Sequence, residues 1–541
     1  MRLAISIGHE ASVTYETLGG EVKVLEFERY FKIKKFSNLF KPLSIDSLSP
    51  HILSEEESKR SLTEDFGGSE EFYNNSKELL KLFPDKDLYT DIVVSCCLDN
   101  SIFERVSNDL SKIFKNAKFT SINHRLSHAW SVFGGIPEKE AISIILDGSG
   151  NGCFTVIKHC CNSDTILDNS DFNFGLFYEY TARKILKDFN ANCEGPEGVF
   201  MGLASYGTIC PNLKERLVKL FTDSKLRSIQ KLEILDEIYL EVTGGLTFSD
   251  ASEKNILVNP KAIPLKKFAR TFQASWVESV LTVIKCFSDK NTPACLSGGC
   301  FLNCELNREI IKGNYFKKVY FSPVPSDCGQ SLGGFLYQNK KNINTPYLGF
   351  NVFDWSTPHS MYEGVTRKEL NLDELANFLE MGLIVAVIRG NSEIGPRALG
   401  NRSILASPLK QNMKRKLNTR VKHRQWFRPY GAIIQREFLQ EYFDLDLDLP
   451  YMNILAYNKT NLFPEIRHID NSTRVQTIDK DNDFLYKLLD KFKDITGHPI
   501  LINTSLNIRG KPIINWSVDA FEMLRKKEID VLVLEDYVYS I

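Results

Sequence analysis

The run HRLSH contains the first residues in this sequence whose type and spacing suggest chemistry. His124 and His128 stand four positions apart, so on a helix both imidazoles would project from one face and could share a metal ion. For an isolated pair, two partly buried histidines bonded to backbone groups are the simpler interpretation. This pair is not isolated, because Asp147 follows at the end of the hydrophobic run AISIILD. A carboxylate at the end of a strand can also hold a cation.

The turn DGSGNG, which begins at Asp147, has glycine at every second position and includes Gly148, Ser149 and Gly150. Without Cβ atoms, its backbone N–H groups can approach an oxyanion closely. A second hydrophobic run follows, so the sequence predicts a hairpin here and not the strand–helix turn of a dinucleotide-binding fold. Such a hairpin is the phosphate loop of actin-like and sugar-kinase-like ATPases. A simple hairpin turn without a ligand explains the same residues equally well.

Two further runs, SGGCFLNCELN and SPVPSDCGQ, resemble nucleotide-binding loops. Gly298 and Gly299 would open a helix whose N–H dipoles point towards a phosphate, with Asn303 and Asn307 following. Asp327 is either one more carboxylate for a metal or the N-cap of a helix. No GxxxxGK[ST] motif occurs anywhere in the chain, which excludes a P-loop ATPase.

The C-terminal part of the chain holds cationic runs next to glycine, proline and aromatic residues. Arginine presents a planar fork that fits phosphate or carboxylate, and lysine presents a point charge. One such run could be a solvated surface, but four of them predict a single pocket for a polyanion. The candidates are Arg397 and Arg402 in EIGPRALGNRS, Lys422, Arg424 and Arg428 in RVKHRQWFRPYG, Arg474 in STRVQT, and Asn503, Ser505, Asn507 and Arg509 in NTSLNIRG. Arg402 has a second interpretation, a structural tie to Glu393.

The composition sets limits on the partners. A chain of 541 residues predicts two or more domains, and a net charge of −1 gives no global basic field for nucleic acid or membrane. We find no apolar run long enough to span a membrane and no signal peptide, so a cytoplasmic protein without a membrane partner is expected. The 12 cysteines form no CxxC pair, which favours reduced thiols.

These chemical groups must be positioned by alternating strands and helices, a pattern typical of an α/β fold. The polar run 339–350 suggests a domain boundary, and the Ser/Glu-rich residues 41–76 suggest a surface insertion. The expected strands are RLAISIG, SVTYET, KVLEFERYF, DIVVSC, AISIILD, KKVYFSP and LIVAVIRG. The expected helices cover 76–83, 102–115, 211–240, 268–288 and LNLDELANFLEMG.

Eight motifs of this sequence resemble the O-carbamoyltransferase family, which includes nodulation-factor, cephamycin and tobramycin carbamoyltransferases. They are GHEAS, NHRLSHAWSVF, DGSGNG, EGVFMGLASYG, GGCFLNCELN, EIGPRALGNRSILASP, FRPY and NTSLNIRGKPI, in one order from about residue 3 to the C-terminus. The resemblance implies an actin-like domain over 1–345, related to the tRNA threonylcarbamoyl transferase, which binds metal and transfers the carbamoyl group. It implies a YrdC-like domain over 346–541, which forms carbamoyladenylate.

The resemblance also implies a biosynthetic reaction of two steps, in which carbamoyl phosphate and ATP give carbamoyladenylate and an acceptor hydroxyl then takes the carbamoyl group. It implies magnesium with ATP, and iron(II) held by His124, His128, Asp147 and Asp327. The implied catalytic residues are His9, Lys34, Arg397, Lys422 and Arg428. The implied binding residues are Gly148, Ser149, Gly150, Gly298, Gly299, Asn303, Asn307, Arg402, Arg474, Asn503, Ser505, Asn507 and Arg509.

Some positions depart from the family pattern. Arg125 replaces a second histidine, Val199 replaces a lysine, and Asn391 replaces an arginine. None of these changes removes an implied metal ligand, but the lost lysine and arginine leave the acceptor or phosphate contacts open.

Two other functions and several acceptors remain open at this stage. A fused threonylcarbamoyl-tRNA synthase would need a broad basic surface, and a non-catalytic ATP-binding module would have broken ligand sets. Family acceptors are mostly sugars and antibiotics, so a small molecule is favoured. A hydroxymethylated pyrimidine nucleotide, free or in DNA, presents the same primary alcohol, and the basic run 414–425 leaves DNA open. A homodimer is expected from the family alone.

Overall fold

Two five-stranded sheets with the same strand order form the N-terminal part of the computed structural model. Each has three antiparallel strands followed by two parallel ones, in the orders β3-β2-β1-β4-β5 and β8-β7-β6-β9-β10. The strands are β1 Arg2–Ser6, β2 Ser12–Glu16, β3 Val22–Glu26, β4 Asp91–Ser95, β5 Lys118–Ile122, β6 Ala141–Leu146, β7 Phe154–Cys160, β8 Ser163–Ser170, β9 Ala294–Ser297 and β10 Val319–Phe321. The structure describes residues 1–7, 10–32, 86–95, 100–148, 153–160, 163–170, 172–186, 195–247, 262–353, 364–508 and 510–541.

Two helices lie between these sheets. Helix α10 packs on β1, β2 and β4 of the first sheet, and α3 packs on β6 and β9 of the second and against α10. The other face of the second sheet is covered by a large apolar core centred on the long helix α8. The helices of this part are α1 Phe27–Phe31, α2 Asn100–Ser111, α3 His124–Phe133, α4 Phe174–Ile185, α5 Pro196–Ala204, α6 Pro211–Thr222, α7 Ser228–Thr243, α8 Ile263–Lys285, α9 Cys304–Gly313 and α10 Gln330–Asn339.

The C-terminal part is built on a nine-stranded mixed sheet in the order β11-β19-β18-β12-β13-β17-β14-β16-β15. Its central strands are buried on both faces: Ile384, Ala386 and Ile388 enter one core, and Val385 and Val387 enter the other. The strands are β11 Thr366–Glu369, β12 Val385–Ile388, β13 Arg402–Ala406, β14 Gly431–Gln435, β15 Leu455–Tyr457, β16 Ser472–Ile478, β17 Ile500–Ser505, β18 Val531–Leu534 and β19 Tyr537–Ser540. The helices are α11 Leu372–Glu380, α12 Met413–Lys416, α13 Leu439–Tyr442, α14 Asp483–Thr496 and α15 Ser517–Arg525.

The alternation of strands and helices expected from the sequence is confirmed as a mixed α/β fold. Two elements differ from the prediction. The FERYF end of the third expected strand is the helix α1, and the single helix expected over 211–240 is two helices that Asp223 to Arg227 separate. The insertion at 41–76 and the helix at 76–83 lie outside the described residues. None of the described helices is long and apolar enough to cross a membrane.

One contact between the two parts of the chain lies where α9 packs on β15. The Asn307 side chain donates to the Asn453 carbonyl at 2.8 Å. Arg308 is almost fully buried and donates to both carboxylate oxygens of Asp444, at 3.1 and 2.5 Å, and to the Leu455 carbonyl at 3.0 Å. Because β15 pairs with β16, this contact fixes α9 relative to the strand that carries Arg474.

We expect Arg308→Met to lower the stability of the folded chain by about 1–3 kcal/mol, because it removes the positive charge paired with Asp444 and the donor to the Leu455 carbonyl. Thermal unfolding followed by circular dichroism measures the change as a drop of several degrees in the midpoint. Arg216→Met is the matched control, since it removes an exposed ion pair with Glu241 and should shift the midpoint by less than about one degree. Equal midpoints for the two variants would contradict the role given to Arg308.

Candidate metal centre and anion pocket

Helix α3 presents two histidines on one face, as the spacing of HRLSH predicts. The side-chain oxygen of Asn123 caps the helix by accepting from the Arg125 N–H at 2.9 Å. The two imidazole rings of His124 and His128 then lie edge to face with centroids 4.7 Å apart. Helix α10 approaches closely at Gly333, where a Cβ atom would lie 1.8 Å from the Ser127 carbonyl oxygen, so only glycine fits.

Four side chains that the sequence singled out as metal ligands converge at this point. His124 Nε2 lies 2.9 Å from Asp147 Oδ2 and 3.6 Å from Asp327 Oδ1, and His128 Nε2 lies 3.5 and 3.2 Å from the same two oxygens. One ligand atom from each residue is within 4.8 Å of all the others. They come from three places in the chain: the first two turns of α3, the residue after β6, and the turn before α10.

The donor set fits a divalent transition metal. His128 has no exposed surface, and its Nε2 makes no hydrogen bond although two carboxylates face it. Burial alone would lower the pKa of His128, but Asp147 and Asp327 raise it above the usual value. Burial would raise the pKa of Asp147, and the two histidines hold it well below its usual range. A buried nitrogen aimed at two carboxylate oxygens is the arrangement that an ion with imidazole and carboxylate ligands would satisfy.

A second layer of residues fixes these ligands. The Ser297 hydroxyl lies 3.3 Å from His128 Nδ1, and Ser131 lies 3.4 Å from Ser297. The Gly299 N–H points at Asp147 Oδ1 at 3.4 Å. Gly298 has a φ of +105°, and a Cβ atom there would lie 2.3 Å from the Leu146 carbonyl oxygen, so glycine is required where β9 passes the end of β6.

We expect His128→Ala to weaken binding of a divalent ion by at least about 100-fold and Ser297→Ala by about 10-fold, because the first removes a ligand and the second removes a partner that orients it. Competition with a fluorescent chelator, using Mn(II) or anaerobic Fe(II), measures both affinities. The exposed His423→Ala is the control and should bind like wild type. Unchanged affinity in His128→Ala would show that these residues are not a metal site.

A second arrangement with catalytic residue types is structural. His159 lies 2.7 Å from the Ser143 hydroxyl through Nε2 and 2.6 Å from Asp164 through Nδ1. Ser143 and His159 are buried, and the Phe133 ring stacks on the imidazole at 4.0 Å, which leaves no room for a substrate. Asp164 also accepts from the Trp130 indole at 2.9 Å, so this network holds α3 on the second sheet.

The signature run EIGPRALGNRS forms a turn between β12 and β13 whose backbone is tied down from inside. The Glu393 carboxylate accepts from the Leu399 and Arg402 N–H groups at 2.5 and 3.3 Å. The buried Arg402 guanidinium donates to the Asn515 side chain and to the carbonyls of four other residues at 2.8 to 3.1 Å. Burial lowers the pKa of Arg402 to about 10. Its donors are therefore occupied by the protein.

Arg397, in the same turn, differs from Arg402. Its guanidinium makes no hydrogen bond or ion pair with any residue that the structure describes, and its Nε is buried. The guanidinium of Arg474 on β16, which is partly exposed, likewise makes no hydrogen bond or ion pair with a described residue. Burial, reinforced by the positive charges of Arg397, Arg424 and Arg428, lowers the pKa of Arg474 to about 9. The positive charges of Arg397, Arg424 and Arg428 therefore lie close enough to Arg474 to disfavour its cationic form, and we call these four residues the candidate anion pocket.

The remaining predicted binding residues fall into two groups. Lys422 donates to the Ser505 carbonyl and to the Asn507 side chain, the latter at 2.7 Å, so these three residues lie together at the end of β17. Asn303 caps α9 and pairs with Gln273. The side-chain nitrogens of Asn307 and Asn503 donate to protein acceptors, and the side-chain oxygen of each is buried without a hydrogen bond.

Five predicted site residues lie outside the described residues, namely His9, Lys34, Ser149, Gly150 and Arg509. Gly148 is described and begins the turn after Asp147 in the predicted hairpin, since β7 pairs with β6 antiparallel. The sequence did not single out Ser297 or Cys304. Cys304 begins α9 close enough to Arg474 to influence its pKa. The sequence named Arg424 as one of three candidates in its cationic run. Nothing in that run indicated which of the three would lie close to Arg474.

Comparison with known families accounts for most of the chain. A family model described as the carbamoyltransferase N-terminus matches residues 61–336, and one described as the carbamoyltransferase C-terminus matches residues 376–540. The chain belongs to the carbamoyltransferase family. It is therefore an enzyme of the transferase class. The two matched regions contain all four residues of the candidate metal centre and all four arginines of the candidate anion pocket.

Relatives of this carbamoyltransferase support the assignment. The nodulation protein NolNO of Sinorhizobium fredii is 27% identical over 467 residues, which cover 78% of this chain and 64% of that protein. The 3'-hydroxymethylcephem-O-carbamoyltransferase of Amycolatopsis lactamdurans is 32% identical over 266 residues, which cover 46% of this chain and 49% of that enzyme. The solved structure of HypF from T. kodakarensis aligns with 63% of this chain and 48% of its own, at 14% identity and a TM-score of 0.30, too low to support an argument.

Proposed function

We propose that this carbamoyltransferase is an ATP-dependent O-carbamoyltransferase that makes carbamoyladenylate from carbamoyl phosphate and ATP and passes the carbamoyl group to an acceptor hydroxyl. The observation that carries the proposal is the anion pocket, in which the guanidinium groups of Arg397 and Arg474 meet no carboxylate of the described chain. Both side chains are partly buried, and clustered cations without counter-ions are unfavourable there, so we infer a ligand that brings several negative charges. Substrates with phosphoryl groups meet that requirement.

In the first step, carbamoyl phosphate loses its phosphate to water and leaves carbamate. A carbamate oxygen attacks the α-phosphorus of ATP, the bond to the bridging oxygen of the β-phosphate breaks, and pyrophosphate leaves. Negative charge gathers on the phosphoryl oxygens as this happens. Arg397, Arg474 and Arg428 supply fixed positive charge, which stabilises that arrangement more than it stabilises the separated substrates. We assign Lys422 and Ser505, which the fold brings together, to the same substrate.

In the second step, an acceptor hydroxyl oxygen attacks the carbamoyl carbon and AMP leaves with the anhydride oxygen. The hydroxyl proton goes to a base, for which His9 is our candidate. His124, His128, Asp147 and Asp327 would hold a divalent metal, which when bound polarises a carbonyl and offsets charge on a phosphate. The Gly299 N–H of the SGGC turn points at Asp147, so this turn lies next to the four side chains. We place the carbamoyl group of the adenylate at the same point.

The fold, and the hydrogen bonds that some predicted binding residues make within the protein, help to assign the roles of the two domains and of those residues. The repeated order of the two five-stranded sheets supports an actin-like fold for the N-terminal domain, and we assign the YrdC-like role to the C-terminal one. Arg402 and Asn307 act as structural residues, since Arg402 holds the signature turn and Asn307 holds α9 on the C-terminal part. For the acceptor we favour the hydroxyl of a small molecule such as a sugar or an antibiotic.

Two substitutions separate the proposed half-reactions. His124→Ala should abolish carbamoylation of the acceptor and leave AMP formation from ATP and carbamoyl phosphate within about threefold of wild type. Arg397→Ala should lower AMP formation by at least about 100-fold, since one charge-stabilising donor contributes this much in comparable sites. Chromatography of the nucleotides and mass spectrometry of candidate sugars, nucleosides and DNA measure the two activities. Equal loss of both activities in His124→Ala would contradict the division between the two sites.

A further inference from the structure

A buried ion pair of the N-terminal part lies against the signature turn of the C-terminal part. Glu26 ends β3, and Arg29 follows on α1. Arg29 Nε is 2.7 Å from Glu26 Oε2, and the side chains are only 2% and 3% exposed. Burial would raise the pKa of Glu26, and the neighbouring Arg29 charge opposes that rise.

Both members of the pair bind the backbone of the signature turn. The two terminal nitrogens of Arg29 donate to the Glu393 carbonyl at 2.5 Å and the Gly395 carbonyl at 2.7 Å. Glu26 Oε1 accepts from the Gly395 N–H at 2.9 Å. The pair therefore holds three backbone groups that immediately precede Pro396 and Arg397.

The backbone at this point can adopt few other conformations. Gly395 has a φ of +88°, and a Cβ atom there would lie 3.1 Å from Val324 Cγ1 and 3.3 Å from the Pro323 carbonyl oxygen. Pro396 restricts its own φ and disfavours helical backbone at Gly395. With both sides of Gly395 bound, the direction in which the chain leaves towards Arg397 is set by residues more than 360 positions away.

Stability alone does not explain such a pair, since apolar residues of similar volume are often as stable as a buried ion pair. A fork of two donors that spans two carbonyls is also specific to arginine, because lysine offers a single point charge. A catalytic group displaced by about 1 Å can lose most of its effect, so backbone that is held this firmly benefits the reaction.

We propose that Glu26 and Arg29 are positioning residues for Arg397, so that the metal-bearing part of the chain sets the geometry of the anion pocket in the other part. This inference rests on the proposed function, in which Arg397 binds a phosphoryl group. It assigns a role in phosphate recognition to two residues that are not in the pocket. Arg29 acts through the carbonyls of Glu393 and Gly395 and contacts no substrate.

The test compares Arg29→Lys with wild type by calorimetric titration with inorganic pyrophosphate and with ATP. We expect the dissociation constant of the variant to rise about 10-fold with the stoichiometry unchanged, because the folded molecules all carry a displaced Arg397. A merely structural defect would instead lower the fraction of competent molecules and leave the dissociation constant of the rest as it was. Lys32→Met is the matched control, since it removes another contact of this region with the C-terminal part, the ion pair with Asp519, and should bind within about twofold of wild type.

Glu26→Gln gives a second test if Arg29→Lys does not fold, because the amide keeps an acceptor for the Gly395 N–H and loses only the charge that fixes Arg29. It should raise the dissociation constant severalfold. Wild-type affinity in folded Arg29→Lys, or an equal loss in Lys32→Met, would overturn the positioning role and leave the proposed function intact. A wild-type protein that binds neither pyrophosphate nor ATP would overturn both.

Discussion

The crowding of guanidinium groups without carboxylate partners is the constraint on which the account of this protein depends. Burial disfavours the cationic form of Arg474 most, and the charges of Arg397, Arg424 and Arg428 add to the effect. Proteins normally pair buried cations with carboxylates, as this chain does with Arg308 and Asp444. Arg397 and Arg474 have no such partner among the described residues, and the proposed polyphosphate ligand would supply the negative charge that the protein does not.

The segment that follows β9 lies next to both the candidate anion pocket and the candidate metal centre. The SGGC turn after β9 contacts Asp147 through Gly299, and the next helix, α9, begins at Cys304 beside Arg474. Thus a few residues of one segment link the two sites. Arg308, on the same helix, binds the strand that pairs with the strand of Arg474. The proposed chemistry in two places would need a fixed relation between them, and this segment contacts both groups of residues.

The sequence predicted the α/β class from the alternation of its elements, and the pair His124 and His128 from a four-residue spacing, which is a local signal. The full set with Asp147 and Asp327 came from the resemblance to a family, and the structure brings these four side chains together. For Arg402, which stands five residues after Arg397 in one motif, the sequence left phosphate binding and a structural tie to Glu393 both open. Their difference arises from long-range contacts: Arg402 is enclosed by acceptors from several segments, and Arg397 is not. The role of Arg29 was hidden for the same reason, since its partners Glu393 and Gly395 are distant in sequence.

Exchange of labelled pyrophosphate into ATP tests the central claim most directly, because it reports reversible formation of an adenylate without any knowledge of the acceptor. The account predicts that the enzyme catalyses this exchange when carbamoyl phosphate and magnesium are present, and that omission of carbamoyl phosphate abolishes it. Absence of exchange with all components, together with ADP as the product of ATP turnover, would contradict the account.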